Sequence, residues 1–259
     1  MLIAAHHIFF GGKKTPTAKS YKGIIAHLWD GIENGGYGVH NASASSWKDL
    51  VGGYDAAKSG SPTFSDNAGV TNGANNTFYA TLPNSSRFIQ AAKSSPVTIE
   101  ICLSTSSAWG NACPFSIEDS NGSSSVYRML QFFMRTDTGI HTYRPAPYNK
   151  NGTAFCGDTG NMASPNGTIA CIMWYESSKA YVRVFRDGVE YTGGNSNLAI
   201  FNPADIDTFG VPDWYVRIGK THNNSMSANF HRVTLHAGAV SATDLAYNYT
   251  IDKARFGLP

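Results

Sequence analysis

Apolar and polar side chains exchange places residue by residue in stretch after stretch of this chain. Val97, Ile99, Ile101 and Leu103 alternate with Thr98, Glu100 and Cys102, and Phe230-His231-Arg232-Val233-Thr234-Leu235-His236 alternates in the same way. A period of two sends every second side chain to one side of an extended strand, so each stretch has one face to bury. Residues 24–29, 54–57, 73–82, 127–134, 139–143, 168–175 and 215–220 are further strand candidates. Asp187-Gly188, between residues 181–186 and 189–191, is a two-residue hairpin signal. Short strands set among Gly, Asn and Ser turns predict an antiparallel all-β protein. Gly supplies 26 of 259 residues and charged residues only 15%, a profile that a helical bundle does not have.

Several classes are excluded early. The net charge is +2 and the basic residues form no run longer than Lys13-Lys14, so a nucleic-acid patch is not expected. No apolar run is long enough for a membrane-spanning helix. The first ten residues lack a basic n-region, and His6-His7 interrupt their apolar letters, so no secretory signal is expected. Cys102, Cys113, Cys156 and Cys171 contain no Cys-x-x-Cys pair, which argues against structural zinc. Cys102 and Cys171 fall in apolar strands and read as buried thiols, while a Cys113–Cys156 pair between loops stays open.

Three segments carry a family resemblance. The first is the order strand, Asn223-Asn224-Ser225 turn, strand, then Val240-Ser241-Ala242-Thr243-Asp244-Leu245 as a capped helical turn. It resembles the end of a laminin-G/concanavalin A-like lectin–glucanase domain. Trp47-Lys48-Asp49-Leu50 before Gly52-Gly53 is similar to that family's Trp-x-Asp-Leu-Ser-Gly element, with Val51 in place of the serine and Pro62-Thr63-Phe64 following. Val97-Thr98-Ile99-Glu100 resembles its central strand, and the matches run over about residues 22–256. The resemblance implies a two-sheet antiparallel β-sandwich, a jelly roll, over residues 21–259 behind an N-terminal arm of residues 1–20.

Glucanase relatives carry paired acids on one strand, as Glu-x-Asp-x-x-Glu. Here Glu118-Asp119 are adjacent and point to opposite faces, and Glu100 stands between Thr98 and Cys102. No enzyme is therefore expected, and no Gly-x-Ser-x-Gly elbow appears either. His231 and His236, five apart on one strand, are expected on opposite faces, which argues against a metal-binding pair. No cofactor is expected. Calcium is weighed at Asp30, Glu33 and Asn34 in a glycine-rich loop, and at Asp205 and Asp207, against an ordinary Asx turn. Aromatic rings beside polar donors suit sugars, and Trp109, Tyr143, Arg144 and Tyr148 are the predicted ligand surface.

The expectation is a non-catalytic lectin-like recognition or structural protein. Its partners would be a glycan or cell-surface polysaccharide and, through the arm, neighbouring assembly proteins, with a homo-oligomer as an option. The place expected first is a phage virion surface, as a head fibre, decoration or tail-associated component. A secreted or cell-surface bacterial carbohydrate-binding module ranks second, and a glucanase-type glycoside hydrolase last.

Overall fold

The computed structural model describes residues 15–73, 76–105, 112–118, 128–137, 140–145, 148–149, 152–153, 166–176, 179–191, 213–220 and 225–258. Among these, two antiparallel sheets pack face to face. The first holds β1 (Ile25–Asp30), β4 (Thr63–Ser65), β5 (Ala68–Asn72), β7 (Val97–Ser104), β13 (Gly167–Glu176), β14 (Lys179–Arg186), β15 (Val189–Tyr191) and β17 (Ser227–His236). Its order is β15-β14-β13-β7-β17-β5-β4, with β1 also paired to β17.

The second sheet holds β2 (Ser46–Trp47), β3 (Ala56–Ser59), β6 (Thr77–Pro83), β8 (Ala112–Glu118), β9 (Arg128–Asp137), β10 (Ile140–Pro145), β11 (Tyr148–Asn149), β12 (Gly152–Thr153) and β16 (Asp213–Ile218). It runs β12-β11-β9-β8-β16-β6-β3-β2, with β10 on β9. The helices are α1 (Arg87–Ala92) and α2 (Ala242–Phe256).

The alternation read from the sequence sets the core. Ile99, Ile101 and Leu103 of the first sheet meet Phe78, Leu82, Phe115, Ile117, Trp214 and Val216 of the second, all fully buried. Burial at roughly 25 cal/mol per Å² of apolar surface makes this layer the main source of stability. Cys102, Cys113 and Cys171 are buried, and Cys102 is a free thiol; Cys156 lies outside the described residues.

The Trp-x-Asp-Leu element has a structural job. Trp47 Nε1 donates to the Asp30 carbonyl at 2.9 Å, and the Asp49 carboxylate accepts from the backbone N–H groups of Leu28, Val51, Gly52 and Tyr54. His27 Nδ1 lies 2.8 Å from Asp49 Oδ2. One buried side chain thus ties a loop to β1, since buried N–H groups need acceptors.

The capped turn expected after residue 240 is a fifteen-residue helix. Ser241 caps it, accepting from the Asp244 N–H, and Gly257 ends it with φ 67° in the left-handed region. It lies on the outward side of the first sheet, where it meets a polar surface. Arg232 of β17 donates to both Asp252 oxygens at 2.9 and 2.7 Å, to Glu100 Oε2 at 2.6 Å and to Thr234 Oγ1 at 2.7 Å. Tyr21 and Thr168 also donate to Asp252, and Asn248 donates to Glu100. Every member of the cluster is almost fully buried.

Two expectations change here. His231 and His236 both face α2: His231 stacks on Phe256 at 5.2 Å, and His236 Nε2 lies 3.1 Å from Glu100. A β-bulge between Phe230 and Arg232 inserts one residue and resets the alternation. Of the expected arm, residues 1–14 lie outside the described residues. Ala18–Ser20 forms a 3-10 turn in which Ala18 is buried and donates its N–H to Glu33 Oε1.

Removing one member of a buried ionic cluster leaves the others uncompensated, at a cost of about 3–5 kcal/mol. Arg232→Met is therefore expected to lower the urea unfolding free energy by about that amount. Burial would raise the Glu100 carboxyl, but Arg232 and His236 outweigh it and hold it at about 2. The stability from ionised Glu100 is present above its ordinary value of 4.5 and fades as pH falls towards 2. Glu100→Gln should lack that acid slope in unfolding titrations.

Candidate functional site

The solvent-side face of the second sheet is the chemically richest described surface. Phe78, Ala80, Leu82, Trp214, Val216, Ile218, Phe115 and Ile117 point into the core, so their neighbours along each strand point out. Register then sets the outward residues in rows. Tyr79 lies opposite Arg217, Arg217 opposite Ser116, and Ser116 opposite Gln131. In the next row, Thr81 lies opposite Tyr215 and Tyr215 opposite Glu118. Asp213 is also in the outward phase, two residues before Tyr215.

Glu118 and Ser116 are fully buried, Gln131 is 2% exposed and Arg217 9%, although all sit on the side away from the apolar core. Arg217 Nε lies 3.3 Å from Glu118 Oε2, and the guanidinium carbon lies 5.7 Å from the Tyr215 ring centre. Gln131 donates to Cys113 Sγ at 3.2 Å, while its carbonyl oxygen is buried and has no hydrogen-bond partner among the described residues. In these rows the half-buried Tyr79 and Tyr215 rings reach solvent, while Glu118, Ser116 and Gln131 are covered. Partly exposed aromatic rings beside a guanidinium are groups on which a polyhydroxylated ligand can pack. Glu118 and Asp213 are diagonal neighbours across adjacent strands, with Cα atoms roughly 7–8 Å apart by sheet geometry. The spacing of acids within one strand could not show this pair.

The predicted ligand residues distribute as follows. Trp109 lies outside the described residues. Tyr143 and Arg144 fall in β10, opposite Met134 and Phe133 of β9, and Tyr148 falls in β11, opposite Arg128. Three of the four therefore belong to strands bordering this same sheet. Tyr79, Tyr215, Arg217 and Gln131 were not singled out in the sequence. Their signal is the outward phase of β6, β16 and β9, readable only once the inward phase is known.

The loop weighed for calcium is held by protein groups. Asp30 Oδ1 accepts from the Ile32 and Glu33 N–H groups, an Asx turn, and from Arg255 Nη2 at 2.8 Å. Glu33 accepts from Ala18, Gly38 and the same Arg255 atom, and the Asn34 side chain bridges both backbone groups of Asn41. A guanidinium thus occupies the place between the two carboxylates. Among the described residues, no group of three His, Cys, Asp or Glu side chains is arranged to hold a metal. Asp205 and Asp207 lie outside the described residues.

Burial pushes the Asp30 carboxyl up to about 6, against the pull of Arg255. A raised carboxyl favours the protonated folded state, so this stability is full below the ordinary value of 3.8 and is lost as pH rises through 6. Asp30→Asn keeps the Oδ1 acceptor and should abolish this component, worth on the order of 3 kcal/mol, in unfolding measured between those limits.

No protein-family model matches this chain, and no curated protein matches it. Among solved structures, Trypanosoma rangeli sialidase in complex with sialic acid is similar, with a TM-score of 0.57 and 12% identity over 93% of this chain. This chain spans 34% of that sialidase. Domain 4 of AbnA, a GH43 extracellular arabinanase from Geobacillus stearothermophilus, solved with arabinotriose, is similar at a TM-score of 0.56 and 10% identity. That match covers 88% of this chain and 99% of the domain. At these identities the likeness is one of fold.

Proposed function

We propose that this chain is a non-catalytic glycan-recognition sandwich of the concanavalin A-like kind, binding sugar on the solvent side of its second sheet. The observation that carries the reading is the pair of half-buried rings Tyr79 and Tyr215, set beside Arg217 on the outward phase of β6 and β16. A domain of similar size and fold, from the arabinanase, holds an arabinose trisaccharide, which supports the same use here. Tyr143, Arg144, Tyr148 and Trp109, the ligand residues expected from the sequence, remain part of the proposal. The sandwich is displayed on a phage particle, with a bacterial surface as the alternative, and its N-terminal segment holds a neighbouring assembly protein. Glycosidic hydrolysis, through the diagonal neighbours Glu118 and Asp213, is the second reading.

A glycan array with the purified protein, followed by titration of the best oligosaccharide, tests the site. Tyr215→Ala should weaken binding at least about tenfold, a loss of about 1.4 kcal/mol. If only the Trp109→Ala/Tyr148→Ala double variant loses binding, the site belongs to those residues instead. If no glycan binds, recognition fails. Release of reducing ends that disappears in Glu118→Gln and Asp213→Asn would replace binding with hydrolysis.

The anchoring role has a separate test. Because Ala18 is part of the packed structure, truncation should stop before it. Deleting residues 1–14 is expected to abolish co-purification with the assembly while leaving the thermal unfolding midpoint unchanged; retained co-purification would end the idea.

A further inference from the structure

The opposite face of the molecule holds a second constellation, far in topology from the row on the second sheet. On β13 and β14, Met173 and Val182 point into the core, so Trp174 and Tyr181, directly opposite each other in register, point out. Their rings stack with centres 5.4 Å apart and planes 12° from parallel. Trp29, Trp47 and Trp214 are fully buried, whereas Trp174 is half-buried. It packs against a small apolar cluster outside the main core, made by Ala170, Ile172 and Phe185 with Val240 before α2 and Leu245 in its first turn.

Beside the indole is an open cavity of about 440 Å³ lined by Pro96, Ile172, Trp174, Arg183, Val240 and Ser241. That size falls within the roughly 300–1,000 Å³ typical of small-ligand clefts. At the rim, Arg183 donates through Nε and Nη2 to the two oxygens of Glu190, at 2.7 and 2.5 Å, and both side chains are over a third exposed. The cleft therefore has an aromatic wall, an apolar floor and a rim guanidinium whose charge Glu190 neutralises.

We propose that this cleft is a second binding site, for a neutral pyranoside that carries an apolar acyl substituent. The C–H face of the ring packs along Trp174, and the acyl group enters the apolar floor at Ile172 and Val240. Ring hydroxyls accept from Arg183 at the rim. A charged sugar is disfavoured because the rim pair is already neutralised, and an unsubstituted sugar leaves the floor unfilled. This site stands apart from the proposed glycan face, and its fate does not depend on that reading.

Chitotriose and cellotriose differ only in acetamido against hydroxyl groups, and calorimetric titration of both tests the idea. Chitotriose is expected to bind at least about tenfold more tightly than cellotriose. Trp174→Ala should abolish that binding. Ala239→Trp, which places a bulky ring at an exposed position lining the same cavity, should abolish it too, with the unfolding midpoint unchanged. Tyr215→Ala on the other sheet should leave it intact. Equal affinity for the two trisaccharides, no binding of chitotriose, or binding that survives both cleft variants would overturn the proposal. Loss in Tyr215→Ala with retention in Trp174→Ala would assign chitotriose to the second sheet instead.

Discussion

Arg232 is the point on which the outer layer of this sandwich turns. It sits fully buried on the outward side of β17, where a sandwich strand ordinarily meets water. Its guanidinium joins Asp252 of α2 to Glu100 of β7, and Tyr21 and Thr168 complete the shell around Asp252. A charge so placed is tolerable only when its partners are hydrogen-bonded and fixed, which ties strand, helix and N-terminal segment into one arrangement. Burial of this kind contributes geometric definition more than net stability; the apolar layer between the sheets supplies the latter.

The cluster also divides the molecule's surfaces. On the first sheet, α2 and Tyr21 cover the polar cluster of the outward face, and Trp174 and Tyr181 on β13 and β14 stay half-buried. On the second sheet, the outward face carries a carboxylate, a guanidinium and an amide instead of an apolar stripe. Asp49 and Asp30 belong to the structural side of this division. Asp49 accepts from backbone N–H groups with both oxygens, and Asp30 Oδ1 accepts from two backbone N–H groups and Arg255.

Much of the architecture was legible in the sequence because the relevant physics is local. Alternation from Val97 to Leu103 placed the inward face correctly, and Asp187-Gly188 marked a hairpin whose φ values of 52° and 79° need that pair. Ser241 announced a helix start. The length of α2 was not legible, since its buried side mixes Asn248 and Asp252 with Leu245, Ile251 and Phe256 and so carries a broken apolar periodicity. The bulge beside His231 was equally hidden, for an inserted residue leaves the composition unchanged.

The sequence by itself determined that this chain makes short strands, which side of each strand is apolar, and where turns and the last helix begin. Those properties depend on residues within a few positions of one another. Only the tertiary structure decided which outward residues share a surface. Glu118 meets Arg217 and Tyr215, and Trp174 meets Tyr181, through the pairing register of strands, and Arg232 meets Asp252 through helix docking. Such contacts are fixed by the packing of the whole sandwich, and spacing along the chain does not encode them.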